Sequence, residues 1–289
     1  MILATWLTDA LPCWIQTRPG EIYTLWNISK KYLSGTGPPG RVICRTAQWI
    51  CFMNGSIVFA IGDIHGCFDK LKTLLAVCDL VGDGRDARFV LIGDYIDRGP
   101  DSRKVIDFLI RKQVPEPDRF ICLRGNHEDM LIASAHSDRT DRDLMNWWAN
   151  GGEQTLDSYG VNDPSALPAD HLAWIKALPV QFSDLNRLYV HAGIRPGLPL
   201  AEQSERDLLC IREPFLSSDA SHGSFVVHGH TPTKSRLPDL RPNRLNLDTG
   251  ACFGGPLTAA MFTADRLLPA LFVNSDGNVW RPASVPSTI

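Results

Sequence analysis

Residues 57–66 read IVFAIGDIHG. The first five are a continuous apolar run, which is typical of a strand that is buried on both faces of a sheet. Asp63 and His65 follow this run directly, and apolar residues then recur at helical spacing between Phe68 and Cys78. The pattern predicts a strand-loop-helix unit whose strand ends on two side chains that are able to bind a metal ion.

The same unit recurs twice downstream. Strand patterns at 89–92 and 120–123 are each followed by a loop and by a helical pattern, and this alternation predicts a parallel sheet covered by helices. A helical, aromatic stretch at about 140–180 predicts an insertion over the sheet. Strands then return without long helices between them, at 188–190, 225–227, 245–247 and 257–262. We therefore expect an α/β sandwich of two sheets.

Composition excludes some classes of function. The chain has 289 residues with 29 Lys and Arg against 32 Asp and Glu, a formal charge of -3. Because there is no basic excess, nucleic acid is not expected as a partner. No run approaches the ~20 apolar residues of a membrane span, and the N-terminus lacks the pattern of a signal peptide. These features predict a soluble, cytoplasmic protein without a membrane partner, and they leave its oligomeric state open.

Five predicted strands each run into a loop that is rich in metal-binding side chains. Five of the eight histidines lie in these loops. The loops are 62–66 (GDIHG), 93–99 (GDYIDRG), 124–128 (RGNHE), 191–193 (HAG) and 228–231 (HGHT). Ligands of α/β sheets bind at the carboxyl ends of the strands, so we expect the loops to converge.

The side chains in these loops indicate a particular chemistry. Carboxylate, imidazole and amide ligands together suit a divalent first-row metal better than calcium, which prefers oxygen cages. Five converging loops provide enough ligands for two ions, and a pair of ions ~3.5–4 Å apart activates water for hydrolysis. Arg98 adds a guanidinium fork that matches a phosphate group. The residues thus point to a metal-dependent hydrolase.

The series GDxHG, GDxxDRG, GNHE, HAG and GHT, in this order, resembles the calcineurin-like metallophosphoesterase superfamily. It is most similar to the PPP-type serine/threonine protein phosphatases of the bacterial and bacteriophage lambda-like branch. The resemblance covers about residues 57–263. It implies a four-layer α/β sandwich of two mixed β-sheets flanked by helices, and two bound divalent ions, with Mn²⁺ expected and Fe or Zn as alternatives.

The resemblance also implies roles for individual residues. Asp63 and His65 match ligands of the first metal, and Asp94 matches the carboxylate that bridges both metals. The ligands that match the second metal are Asn126, His191 and His230.

The remaining site residues that the resemblance implies act on the phosphate and on the leaving group. Arg98 and Arg212 match phosphate-binding arginines. His127 matches the general acid that protonates the leaving oxygen, with Asp97 as its orienting partner, while a metal-bridging hydroxide attacks phosphorus directly. His228 is expected to have a structural role.

Two details favour the protein phosphatases within the superfamily. Pro232 stands where many other members have a further histidine. Bacterial diadenosine tetraphosphatases tend to lack an acidic residue at the position of Asp97 and to have Asp at the position of Glu128. The resemblance therefore predicts an enzyme that acts on phosphoproteins or phosphopeptides at serine or threonine.

Two alternatives remain open. The first is a hydrolase of a small phosphoester such as diadenosine tetraphosphate, which would use the same metals. The second is an inactive regulatory or scaffold module. Such a module would be expected to have lost a metal ligand or the Asp97 and His127 pair, and the sequence retains all of them.

The first 52 residues differ in composition from the rest. They carry five basic and two acidic side chains and four of the eight Trp, so this segment is +3 and residues 53–289 are -6. A Pro- and Gly-rich stretch at 34–40 favours a linker. We expect residues 1–52 to be an N-terminal extension outside the catalytic fold and residues 53–289 to be one catalytic domain, with Met53 as the hypothesised start.

Overall fold

The computed structural model describes residues 14–18, 21–24, 57–184 and 187–282. Of the predicted N-terminal extension it describes two short strands, at the outer edge of the larger sheet. The predicted linker at 34–40 and Met53 lie outside the described residues. The boundary at residue 52 therefore stays a prediction.

The described parts contain thirteen strands and seven helices. The strands are β1 (Trp14–Arg18), β2 (Glu21–Thr24), β3 (Ile57–Ile61), β4 (Ala87–Leu91), β5 (Phe120–Cys122), β6 (Gln181–Asp184), β7 (Arg187–Val190), β8 (Phe225–His228), β9 (Asp239–Leu240), β10 (Arg244–Asn246), β11 (Thr258–Thr263), β12 (Leu271–Asn274) and β13 (Asn278–Trp280). The helices are α1 (Phe68–Gly82), α2 (Ser102–Gln113), α3 (Asn126–Ala135), α4 (Asp141–Ala149), α5 (Gly152–Tyr159), α6 (Ala169–Ala177) and α7 (Glu205–Cys210).

These strands form two mixed sheets. The larger has the order β2-β1-β13-β12-β11-β3-β4-β5, and the smaller has the order β6-β7-β8-β10-β9. Strands β3, β4 and β5 are parallel, as the alternation of strand and helix predicts, while β11 runs antiparallel to β3. In the smaller sheet β7, β8 and β10 are parallel and both edge strands are antiparallel.

Alternating side chains of the central strands build two separate cores. In β3, Phe59 and Ile61 belong to the core under the helices, whereas Ala60 belongs to the core between the two sheets. This division follows from the two-residue period of a strand. Because both faces are covered, β3 carries the continuous apolar run that predicted it.

A third core covers the outer face of the smaller sheet. Val190 and Val226 of that sheet pack there with Leu208 of α7 and with Phe215. The order is therefore helices, larger sheet, smaller sheet, and α7 with its following segment. This arrangement confirms the expected sandwich of two mixed sheets flanked by helices.

The predicted insertion consists of α4, α5 and α6. The Thr140 hydroxyl accepts from the Asp143 N–H at 3.3 Å, and the Asp143 carboxylate accepts from the Thr140 N–H at 2.9 Å, which is a capping box that begins α4. Gly151 follows that helix with φ 97°, and a Cβ there would lie 2.8 Å from the backbone nitrogen of Arg98. The insertion is thus closely fitted against a loop of the predicted site.

No helix in the described parts of the chain is both long enough and apolar enough to cross a membrane.

Candidate functional site

The predicted loops come together at the carboxyl ends of strands from both sheets. Asp94, which follows β4 of the larger sheet, lies at the centre and is 2% exposed. Its Oδ2 is 3.4 Å from Nε2 of His65, and its Oδ1 is 3.4 Å from Nε2 of His191, which follows β7 of the smaller sheet. One carboxylate therefore faces histidines that the two different sheets supply.

Backbone carbonyls fix the orientation of both rings. Nδ1 of His65 donates to the carbonyl of Ile96 at 2.8 Å, and Nδ1 of His191 donates to the carbonyl of Ile92 at 2.9 Å. A carbonyl oxygen only accepts, so each Nδ1 carries the proton. Burial lowers the pKa of His65 to about 3 and also lowers that of His191. Both rings are neutral and turn the lone pair of Nε2 towards Asp94.

Asn126, at the start of α3, lies between two histidines. Its Oδ1 is 2.9 Å from Nε2 of His191 and 2.8 Å from Nδ1 of His230. The buried Nε2 of His230 has no hydrogen-bond partner among the described residues. Burial, together with His191, lowers the pKa of His230 to about 3. Around His191, lone pairs of nitrogen and oxygen face one another, an arrangement that a cation stabilises.

Two groups of side chains have the spacing of metal ligands. In each group the ligand atoms all lie within 4.8 Å of one another, and Asp94 belongs to both. One group is His65, Asp94 and His127, and the other is Asp94, His191 and His230.

Asp63 lies beside these groups without belonging to either. Its Oδ1 and Oδ2 accept from the backbone N–H of His230 at 3.3 and 3.0 Å. Burial raises the pKa of Asp63 well above its usual value, and the nearby carboxylates of Asp248 and Asp94 raise it further. Close packing holds the carboxylate in place, because a Cβ on Gly229 would lie 2.0 Å from Oδ1. Three buried carboxylates this close together favour a bound cation.

His127 and Asp97 form a buried pair. Nδ1 of His127 donates to Oδ2 of Asp97 at 2.7 Å, and the two side chains are 1% and 0% exposed. Burial alone would lower the pKa of His127, but the carboxylates of Asp94 and Asp97 outweigh it and raise that pKa. His127 is thus the histidine of the two groups that tends to hold a second proton.

The two predicted phosphate-binding arginines are placed differently. Arg98 is half-buried, and its Nη1 donates to Nε2 of His65 at 2.6 Å, while its backbone N–H donates to the carbonyl of Gly151 at 3.1 Å. Arg212 is exposed on the segment after α7. Its charge contributes to lowering the pKa of His230.

His228 lies outside both groups. Its ring is fully buried and packs against Phe215 with 5.0 Å between the ring centroids, and its Nε2 is 3.4 Å from Nη1 of Arg244. The expected structural role agrees with this position.

Two side chains that were not predicted hold Asp97 in place. Nε1 of Trp147 donates to Oδ2 of Asp97 at 2.9 Å, and the Thr155 hydroxyl donates to Oδ1 at 2.6 Å. Trp147 is in α4 and Thr155 is in α5. Two adjacent Trp in a helical pattern indicate an anchor for the insertion, but the sequence contains no signal for a contact across 50 residues.

Glu128 is a second residue with a supporting role. Its Oε2 accepts from the N–H groups of Asp94 and Gly125 at 2.8 and 2.9 Å, and its Oε1 accepts from the N–H of Tyr95 at 2.8 Å. Burial, together with Asp94, raises the pKa of Glu128 to about 7. The carboxylate thereby joins the loop after β4 to the start of α3. The sequence signal for this supporting role is the position of Glu128 as the last residue of the GNHE motif.

Comparison with known proteins identifies the family of the chain. Residues 57–251 match the sequence profile described as calcineurin-like phosphoesterase. The chain belongs to this family. The match includes all five loops that carry the predicted ligands. The chain is therefore a phosphoester hydrolase.

Relatives of this phosphoesterase differ in substrate. It is 32% identical over 215 residues to serine/threonine-protein phosphatase 1 of Salmonella typhimurium, which covers 70% of this chain and 90% of that protein. It is 28% identical over 229 residues to an asymmetrical bis(5'-nucleosyl)-tetraphosphatase of Anoxybacillus flavithermus, with 70% and 89% covered. A cold-active protein-tyrosine phosphatase of Shewanella shares the fold with a TM-score of 0.54 at 18% identity, over 79% of this chain and 81% of that one.

We expect Glu128→Gln to destabilise the protein. An amide has one acceptor oxygen and turns an NH₂ group towards buried N–H donors, so the free energy of unfolding should fall by about 1–3 kcal/mol. Urea unfolding followed by circular dichroism at pH 8 measures the change.

Asp129→Asn is the matched control, because it makes the same chemical change at a neighbouring carboxylate that is 52% exposed. It should change stability by less than about 0.5 kcal/mol. Equal effects of the two substitutions would contradict the role given to Glu128.

Proposed function

We propose that this phosphoesterase hydrolyses phosphomonoesters of serine and threonine in proteins. The observation that carries the proposal is the buried pair of His127 and Asp97, with Nδ1 of the imidazole 2.7 Å from the carboxylate. Asp97 is fixed in turn by Trp147 and Thr155. An imidazolium held in this way is suited to donate a proton from its free Nε2.

The leaving group explains why such an acid favours a protein substrate. A serine or threonine alkoxide is a strong base, so its departure needs a proton. A nucleoside phosphate leaves as a weak base, since the second pKa of a phosphate monoester is about 6. A buried, well-supported acid is therefore of most use for alkyl phosphomonoesters. The protein phosphatase among the relatives, at 32% identity, supports the same substrate class.

The site fits two divalent ions. His65 and Asp94 would hold the first, and Asp94, Asn126, His191 and His230 would hold the second. In support, Asp94 directs one oxygen to each side, and Oδ1 of Asn126 lies 2.9 Å from Nε2 of His191 and 2.8 Å from Nδ1 of His230. When bound, such a pair of ions supplies the Lewis acidity that activates water for attack on phosphorus.

Asp63 and His127 need separate assignment. Asp63 is kept with the first ion on the strength of the family resemblance, although its oxygens belong to neither group of converging atoms. Nε2 of His127 lies 3.8 Å from Oδ2 of Asp94, within the first group. We assign His127 to proton transfer because its Nδ1 donates to the Asp97 carboxylate at 2.7 Å, which supports a positive charge on the ring, whereas Nδ1 of His65 donates to a neutral carbonyl. A protonated ring is a poor metal ligand.

Arg98 would bind phosphoryl oxygens beside this acid, and Arg212 would assist from the exposed rim. A guanidinium presents two parallel N–H donors that match two oxygens of a phosphate. Arg98 presently donates to His65, whose Nε2 is also the proposed ligand atom. Because one lone pair serves only one of these uses, ion binding would leave the guanidinium free to meet phosphate.

The second candidate function is cleavage of a dinucleoside tetraphosphate. The tetraphosphatase at 28% identity favours it, since that relative is matched over a similar share of this chain. An inactive module is disfavoured, because every predicted ligand and the acid pair are present. Manganese as the native metal and a cytoplasmic location stay predictions of the sequence analysis.

We expect His191→Ala to lose bound metal. The substitution removes one Nε2 ligand atom, so protein reconstituted with Mn²⁺ should fall from about two ions per chain to one or fewer. Elemental analysis after removal of free metal gives the ratio. His136→Ala, at an exposed histidine, should keep the wild-type ratio. A wild-type protein that binds no divalent ion would contradict the assignment.

We expect His127→Asn to be selective among substrates. Loss of the acid should lower kcat/KM on a phosphoserine peptide by about 10²–10⁴-fold. It should lower kcat/KM on 4-nitrophenyl phosphate far less, because nitrophenolate is a weaker base. The metal content should match wild type. An equal loss on both substrates, or the loss of an ion, would remove His127 from proton transfer.

We expect the wild-type enzyme to prefer a phosphoserine or phosphothreonine peptide to diadenosine tetraphosphate. The measurement is kcat/KM for each substrate with the same metal. A preference of about 100-fold for the dinucleotide, equivalent to about 2.7 kcal/mol in activation free energy, would establish the second candidate function instead.

A further inference from the structure

A large apolar side chain is exposed beside the proposed phosphate site. Phe253 is 54% exposed and lies in the loop 250–255 between β10 and β11. The guanidinium carbon of Arg98 lies 5.3 Å from the centre of its ring. This distance is within the ~6 Å range of a cation–π contact.

Two basic side chains hold the loop that carries this ring. Lys70 of α1 donates from Nζ to the carbonyls of Ala251 and Gly255, at 2.7 and 2.6 Å. Arg236 donates to the two carbonyls at the tip of the loop, at 3.1 and 3.2 Å. Four side-chain hydrogen bonds to a six-residue loop keep its tip in one place. The exposed ring is therefore fixed in position beside Arg98.

The other contacts of the Arg98 side chain would not by themselves fix its guanidinium when an ion is bound. Its Nη1 donates to Nε2 of His65, a lone pair that a bound ion would use instead. The neighbouring Cys252 thiol is hydrogen-bonded to Arg98 but offers no charge to hold it, since burial raises the pKa of this thiol to about 12. The contact between the ring of Phe253 and the guanidinium uses no lone pair, so it does not compete with an ion for Nε2 of His65.

We propose that Phe253 is a positioning residue that holds the Arg98 guanidinium in the orientation that binds substrate phosphate. The inference rests on the proposed function, because it takes Arg98 as the phosphate-binding arginine. The aromatic face attracts the cation and limits its rotation, and the hydrogen-bonded loop limits the movement of the ring. The guanidinium thus meets phosphate with less loss of side-chain freedom.

The test compares Phe253→Leu, Phe253→Tyr, Arg98→Ala and the double variant Phe253→Leu with Arg98→Ala. The measurements are kcat and KM for 4-nitrophenyl phosphate and the inhibition constant of inorganic phosphate, all with Mn²⁺. Leucine keeps an apolar side chain and removes the ring, whereas tyrosine keeps the ring. Leu80→Ala, at a 66% exposed apolar residue of α1, is the control for loss of exposed apolar surface.

Phe253→Leu should raise KM and the inhibition constant of phosphate about two- to fivefold, with a smaller change in kcat. Phe253→Tyr and Leu80→Ala should stay within about twofold of wild type. In the Arg98→Ala background, Phe253→Leu should have no further effect, because the contact is already lost. Thermal unfolding followed by circular dichroism shows that each variant is folded.

Three results would overturn the proposal. Wild-type constants for Phe253→Leu would remove any role of the ring, and a full additional effect in the Arg98→Ala background would show that the ring acts independently of the arginine. If Arg98→Ala itself bound phosphate like wild type, the phosphate site under the proposed function would fail as well. The first two results leave that function untouched, so the two failures are distinguishable.

Discussion

The buried carboxylate of Asp94 is the group on which the rest of the site depends. It is almost completely removed from water, and an isolated charge in that position would be very unfavourable. Burial raises its pKa, but positive charge on the surrounding histidines would outweigh burial and hold the pKa below the usual range. Because the neutral rings of His65 and His191 turn lone pairs towards Asp94, the positive charge that Asp94 requires must come from His127 or from a bound cation.

The surroundings of Asp94 show how closely the loops must fit. Its backbone N–H is held by Glu128, and a Cβ on Gly125 would lie 2.2 Å from its Oδ1. Asp94 itself has φ 54°, a strained conformation for a residue with a side chain. The strained backbone of Asp94, the glycine at position 125 and the buried carboxylates of the site all lie at the carboxyl ends of the strands.

The part of the site that lies in local sequence patterns was predictable from the sequence. The strand before Asp63 and His65 was predictable from its sequence, because a strand that is buried on both faces is apolar throughout. The contact of Trp147 and Thr155 with Asp97 was not predictable, because it depends on how an inserted pair of helices packs on the loop after β4. Phe253 is similar: its ring is placed by hydrogen bonds to carbonyl groups, which leave no trace in the choice of neighbouring residues.

The proposed ligands come from both sheets, since His65 follows β3 of the larger sheet and His230 follows β8 of the smaller one. Ions bound by these ligands would therefore link the larger sheet to the smaller one. A species that binds the folded chain and not the unfolded chain adds its binding free energy to stability. Under the proposed function, bound ions would add to the cohesion of the sandwich, and we expect chelation to loosen the architecture as well as stop turnover.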